Sequence, residues 1–164
     1  YNCAMNREVE MVQLQSAPLM VLDLDVPFAE MLSIGATPAG RRRIAPVAGG
    51  SFSGDRLRGT VLPGGADWVL NRADGVMLID VRLALLTDDG ARLYLTYQGS
   101  FRAPDDVMAR FNRGERLGDD EYRLRTVARF EAGAEAYRWL NDTIVVGIGH
   151  QRAGGPRYHL FEIL

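Results

Sequence analysis

The stretch Val76-Met77-Leu78-Ile79-Asp80-Val81-Arg82-Leu83-Ala84-Leu85-Leu86-Thr87, then Asp88-Asp89-Gly90, then Ala91 to Phe101, decides the fold. Met77, Ile79, Val81, Leu83 and Leu85 fall on one face with a period of two, the mark of a strand with one buried side. Asp-Asp-Gly between two such runs is a hairpin turn. The opposite face carries Leu78, Asp80, Arg82, Ala84 and Leu86. That is more apolar than a solvated strand face usually is, which opens the reading of Asp80 and Arg82 as an ion pair inside an enclosed space, although the balance favours the plainer one. That plainer reading is a structural or surface pair.

Outward from this hairpin the same grammar repeats. Leu19 to Val26 alternates, with Met20, Leu22, Leu24 and Val26 opposite Asp23 and Asp25. Short apolar runs at Met31–Ala36, Ile44–Val47 and Leu57–Leu62 are separated by Thr37-Pro38-Ala39-Gly40, Gly49-Gly50, Gly54-Asp55 and Pro63-Gly64-Gly65. Pro104-Asp105-Asp106 opens and Gly114 closes one short helix. Strands are expected again at Tyr122–Phe130, Tyr137–Asn141, Thr143–His150 and Tyr158–Leu164. The reading is an all-β protein of eight to ten strands with one short helix, a single closed antiparallel barrel around a small pocket, as one domain over residues 1–164. Glycine agrees: 18 of 164 residues, about 11%, against a usual share of about 7%.

Composition then removes functions. The formal net charge of -2 gives no basic field for nucleic acid. No apolar run approaches the roughly 20 residues of a membrane-spanning helix. Residues Tyr1–Asn6 lack the pattern of a signal peptide, so the cytoplasm is the expected compartment. Met5 is a natural start position; on that reading residues 1–4 are an addition and Cys3 is not native. Every one of the 19 basic residues is Arg, which excludes Schiff-base chemistry and a phosphate-binding P-loop, both of which need lysine. His150 and His159 show no metal-ligand spacing, so neither a metal nor another cofactor is expected. Gly147-x-Gly149 follows no nucleotide-binding pattern and is read as a bend at a barrel corner.

The residues that could carry chemistry are acids, arginines and aromatics. Asp80 and Glu131 are the candidate general acids or bases. Asp67, Trp68, Arg82, Tyr94, Arg125, Trp139 and Asn141 are the candidate ligand contacts. Tyr94 and Tyr97 lie on opposite faces of one strand, so at most one of them faces a lumen. Arg123, Arg125, Arg129 and Glu131 share one face with Val127, and the balance favours a solvated face there, since several arginines are costly to bury.

An ordered set of motifs carries a resemblance. It comprises Arg41-Arg42-Arg43-Ile44, Gly49-Gly50-Ser51-Phe52-Ser53-Gly54, Leu57-Arg58-Gly59 and Pro63-Gly64-Gly65-Ala66-Asp67-Trp68. It continues through Arg72-x-Asp74-Gly75, Asp80-x-Arg82, Thr87-x-Asp89-Gly90, Arg125-Thr126, Arg129-Phe130-Glu131 and Tyr137-x-Trp139-Leu140-Asn141. From about Leu19 to the C-terminus the chain resembles the bacterial and fungal family called domain of unknown function 3237. The resemblance implies a closed antiparallel barrel similar in outline to lipocalins and allene oxide cyclase, and no established reaction. It points to Asp67, Trp68, Asp80, Arg82, Arg125, Glu131, Trp139 and Asn141 as the polar and aromatic set. Leu124 stands where the family often has Phe, and Ala128 where it often has Pro.

Three readings follow. In the first, the barrel binds a small, mostly apolar organic molecule with a carbonyl or acid group; Arg82 or Arg125 anchors the oxygen and Trp68 or Trp139 packs the body. In the second it is a cofactor-independent isomerase, cyclase or lyase. A pocket Asp or Glu is then the general acid or base, with an Arg or Tyr as oxyanion partner. In the third the strand faces serve a homodimer or higher homo-oligomer.

Overall fold

A computed structural model describes residues 11–164. Twelve short strands follow in order: β1 (Ser16–Asp25), β2 (Leu32–Thr37), β3 (Gly40–Val47), β4 (Gly49–Ser53), β5 (Arg58–Val61), β6 (Gly65–Asp67), β7 (Leu70–Asn71), β8 (Met77–Thr87), β9 (Arg92–Arg102), β10 (Arg123–Ala132), β11 (Val145–Arg152) and β12 (Gly155–Ile163). One helix, α1 (Asp105–Asn112), sits between β9 and β10. Cys3 and Met5 lie outside the described residues.

The strands close a ring of eight antiparallel staves: β8, β9, β10, β11, β12, β1, β4 and β5, with β5 pairing back to β8. There are more strands than staves because three staves are broken. β3 and β4 are consecutive pieces of one stave, β5 to β7 of another, and β2 extends the line of β1 against β3. Most breaks fall where Gly or Pro interrupts the runs, while the one between β6 and β7 falls at Trp68-Val69. The 76–101 hairpin is the backbone of the barrel, paired from Met77↔Phe101 to Leu86↔Arg92. Its turn closes with the Thr87 N–H donating to the Ala91 carbonyl at 2.9 Å and Gly90 at φ +89°.

The period-two faces map directly onto inside and outside. Ile79, Val81, Leu83 and Leu85 are buried inward with Leu93, Leu95 and Phe101. On β10 the burial alternates without a break, placing Arg123, Arg125, Val127, Arg129 and Glu131 outside. Burying one such Leu or Phe contributes roughly 1.5–3 kcal/mol, so the interior faces hold the barrel shut.

The short helix forms where Pro104 and two acids begin it, and Gly114 ends that turn at φ +80°. Tyr137–Asn141, expected as a strand, is instead part of a 3₁₀ turn, Glu135–Asp142, across one end of the barrel. The reason is local chemistry. The Asn141 side chain accepts from the Ala132 N–H (2.7 Å) and donates to the Ala132 carbonyl (2.9 Å), occupying the backbone groups a neighbouring strand would have used. The Tyr137 hydroxyl donates to Asp89 at 2.9 Å, and Leu140 is fully buried as a plug.

Candidate functional site

The opposite end of the barrel opens into a cavity of about 540 Å³. Its walls are mostly apolar: Leu24, Val47, Val69, Ile79 and Val81 are among them. Its mouth is framed by Phe28 and Met31, by the segment after α1 (Glu115 to Leu117), and by the β11–β12 turn. A cluster ties the last two together. Arg152 donates twice to Asp119 (2.9 and 3.1 Å), the Tyr122 hydroxyl donates to Asp119 at 3.1 Å, and the Gln151 N–H donates to Tyr122 at 2.7 Å. Arg152 and the Tyr122 hydroxyl together hold the Asp119 carboxyl down at about 2.

Deeper in the lumen four polar side chains gather on the wall: Arg43, Asp67, Tyr97 and Tyr158. Strand register explains the grouping. Ala45 pairs with Asp67, Asp67 with Val81, and Val81 with Tyr97. These residues form one inward row in which the short Val81 leaves the acid and the phenol facing a common space. Tyr158 comes from β12 and tilts against Tyr97, with ring centroids 5.0 Å apart. Gly149 is its cross-strand partner, and a Cβ there would lie 2.7 Å from the Tyr158 ring. Gly147 likewise clears Leu160. Neither glycine has a positive φ; what requires glycine at both positions is clearance for core side chains.

Asp67 ends β6, and Trp68 and Val69 separate it from β7 without changing the register against β8. The Trp68 N–H donates to the Asp80 carbonyl at 2.8 Å, while the Asp80 N–H donates to Asp67 Oδ1 at 3.0 Å. That leaves Oδ2 for the cavity. Asp67 is only half-buried by area, but what it meets is the cavity and not bulk water. Burial therefore dominates and pushes its carboxyl up to about 6; the hydrogen bond from Asp80 and the Arg43 charge oppose the rise, and the Asp80 charge adds to it.

The Tyr97 hydroxyl is buried beside that of Tyr158, but no group among the described residues meets it in good hydrogen-bonding geometry. Burial, then the neighbouring Tyr158 and Asp67, hold it well above the usual phenol value. Burial does the same to Tyr158. Arg43 donates to Asn71 Oδ1 at 2.9 Å, but its buried Nε has no partner among the described residues. Burial and the Arg41 charge lower its pKa, with Asp67 opposing.

The remaining sequence candidates lie elsewhere. Asp80 and Arg82 are on the outer face, 3.7 Å apart with side chains 34% and 47% exposed: the pair is the surface one of the two readings, and their candidate roles inside a pocket are corrected. The physical reason is parity: the face opposite five large apolar side chains is the outer one in a barrel whose lumen is apolar. Arg82 lies over the Trp68 ring at 5.0 Å, and the pair covers part of that face. Arg125 is also outside, beside a shallow hollow of about 550 Å³ with Gln98, Val127 and Phe161. Glu131, Tyr94 and Asn141 border another open depression at the plugged end. Trp139 packs there under Arg56, 3.9 Å from its centroid. Of the nine candidates the structure brings only Asp67 into the lumen.

Arg43 and Tyr158 were missed, and of the two tyrosines of β9 the one facing the lumen is Tyr97, not the chosen Tyr94. The signal for each was present: Tyr97 shares parity with Leu93, Leu95 and Phe101, Arg43 with Ala45 and Val47, and Tyr158 with Leu160.

A closed eight-stave barrel with an acid and two phenols on an apolar lumen wall defines a class of pocket-bearing β-barrels. Within that class, the profile of the family described as Protein of unknown function (DUF3237) matches residues 16–163, and the chain belongs to that family. A UPF0311 protein of Rhodopseudomonas palustris is 32% identical over 144 residues, covering 88% of this chain and 94% of the relative. A crystal structure of a Rhodopseudomonas palustris protein of unknown function superposes with a TM-score of 0.87 at 28% identity, covering 94% of this chain and 100% of the other. A β-barrel-like protein from Acinetobacter baumannii gives 0.81 at 31% identity, with 96% and 100% coverage. The same fold appears in a Penicillium herquei protein described as an enzyme, at 19% identity and a TM-score of 0.71 over 96% and 99% of the chains.

Proposed function

We propose that the barrel binds a small, mostly apolar organic molecule bearing a carbonyl or acid group, held with that group toward Arg43, Asp67, Tyr97 and Tyr158. The observation that carries this reading is the partition of the cavity. About 540 Å³ of mostly apolar lumen has, below its charged mouth, a single polar wall whose Arg43 Nε and Tyr97 hydroxyl lack partners. Unsatisfied buried donors cost about 1–3 kcal/mol each; both atoms lie just behind the cavity wall, so a ligand oxygen recovers part of that once a side chain turns toward it.

The roles first assigned to Arg82 and Arg125, and to Trp68 and Trp139, pass to lumen residues: Arg43 and the tyrosines for the oxygen, and Val47, Val69 and Ile79 for the apolar body. The test is a thermal-shift screen over aromatic and terpenoid ketones and carboxylic acids. At a ligand concentration of 100 Kd, binding adds about 2.7 kcal/mol, or roughly 5–10 °C in Tm for a domain of this size. Tyr97→Phe with Tyr158→Phe should reduce the shift and Arg82→Ala should leave it. No shift with any pocket-sized compound would refute the reading.

A further inference from the structure

We infer that the lumen moves a proton at a carbon next to a carbonyl: Asp67 takes it from a bound ketone, and the tyrosine pair receives the enolate oxygen. This rests on the ligand-binding reading above and names the substrate class, an enolisable ketone of modest size.

Three arrangements carry it. First, Asp67 is fixed but not satisfied. Oδ1 is held by the Asp80 N–H at 3.0 Å, while Oδ2 is left for the cavity. A carboxylate so placed is oriented by backbone and still has a free oxygen to accept a proton. Second, donors stand on the neighbouring staves. Tyr158 lines the cavity, and Tyr97, whose buried hydroxyl has no hydrogen bond among the described residues, packs against its ring at 5.0 Å. Hydroxyl donors in a dry site stabilise developing oxyanion charge far better than in water. Third, Arg43 adds positive charge to the same wall without forming a direct ion pair with Asp67, so it favours the enolate while leaving the base free.

The step balances without a co-reactant. The α C–H bond breaks and its proton forms an O–H bond to Asp67. The C–H electron pair becomes the C=C bond, and the carbonyl π pair moves onto oxygen, which accepts from Tyr158. Asp67, whose acid proton exchanges with water at the open mouth of the cavity, then delivers a proton back to carbon. To the same carbon the net event is exchange; to the γ carbon of a β,γ-unsaturated ketone it is isomerisation. Burial that lifts the Asp67 carboxyl to about 6 makes it both a competent base and a competent acid near neutral pH.

The probes are 1-indanone and 4-phenyl-2-butanone in D₂O, with benzophenone, which has no α hydrogen, as a binding-only control. Deuterium uptake at the α carbon is followed by NMR, and binding is followed separately by thermal shift. Expected is uptake well above the buffer rate, rising to a plateau with a midpoint near pH 6, the ionisation of Asp67. Asp67→Asn should lower it about 100-fold or more, and the near-isosteric Tyr158→Phe at least about 10-fold. Both variants should still shift in Tm with benzophenone, which shows that the barrel is folded and occupied. Ketones that bind but exchange no faster than in buffer overturn this inference and leave the binding reading standing. Exchange that survives Asp67→Asn also overturns it. If no probe binds, both readings fail together.

Discussion

Two acid–aromatic groups sit back to back across the same sheet. Inside, Asp67 shares a lumen wall with Tyr97 and Tyr158; outside, Asp80 and Arg82 lie beside Trp68. The residue types are similar, and Asp67 and Asp80 even touch through the Asp80 N–H. Yet the inner acid is lifted to about 6 by burial, while the outer pair is a 3.7 Å contact between exposed side chains, worth about 0–1 kcal/mol. What separates them is one residue of strand parity. Residue identity suggests chemistry, and the face on which it lies decides whether the medium allows it.

The contrast can be broken or sharpened by substitution. The largest effect belongs to the inner face: Leu83→Ala should cost about 3 kcal/mol of unfolding free energy by leaving a cavity among Val81, Leu85 and Leu95. Urea denaturation would read it, and a loss under 1 kcal/mol would mean that the lumen packs loosely enough to collapse.

A middle-sized effect lies in pH dependence, where the two ends of the cavity should act in opposite senses. For Asp67 the folded-state carboxyl stands above its unfolded value. Between about pH 4 and 6 the unfolded chain ionises while the folded one does not, so stability falls as pH rises, by roughly 2–3 kcal/mol in full. For Asp119 at the mouth, held at about 2 by Arg152 and Tyr122, stability is present above about pH 4 and is lost as pH falls toward 2. Asp67→Asn should remove the decline between pH 4 and 6 and keep the acid limb. Asp119→Asn should shrink the acid limb, to which the paired Asp74, Asp89, Glu115 and Glu121 also contribute, and keep the decline. Unfolding curves from pH 2 to 8 would separate them, and an unchanged decline in Asp67→Asn would sink the assignment.

The smallest effects belong to the outer face. Asp80→Asn, Arg82→Ala and Tyr94→Phe should each change stability by less than about 1 kcal/mol and leave ketone binding unaltered. A lost thermal shift in Arg82→Ala would return the site to the outside.

Most of the fold was legible because it rests on alternation, which a single sequence displays openly. The 76–101 hairpin, the buried set on β8, the outward arginines of β10 and the helix after Pro104 all follow from period and turn chemistry. The 3₁₀ turn at Glu135–Asp142 was not legible, because Asn141 closes on Ala132 through contacts only the folded chain creates.

The site was less legible for a different reason. A charged pair flanked by leucines looks enclosed, so Asp80 and Arg82 drew attention. Tyr97, in phase with Leu93 and Leu95, looked like ordinary core. Parity would have ranked them the other way, since in a barrel with an apolar lumen the interior polar residue hides among the hydrophobic ones. Asp67 was legible only through its motif, because β6 and β7, three and two residues long, are too short to show a period.

The most direct test of the lumen wall is a ¹³C NMR titration of the Asp67 carboxyl, with and without 1-indanone. The predicted result is a midpoint at about 6 in the free protein that moves when the ketone is added. A midpoint at the ordinary carboxylate value, about 4, indifferent to the ketone, would contradict the account.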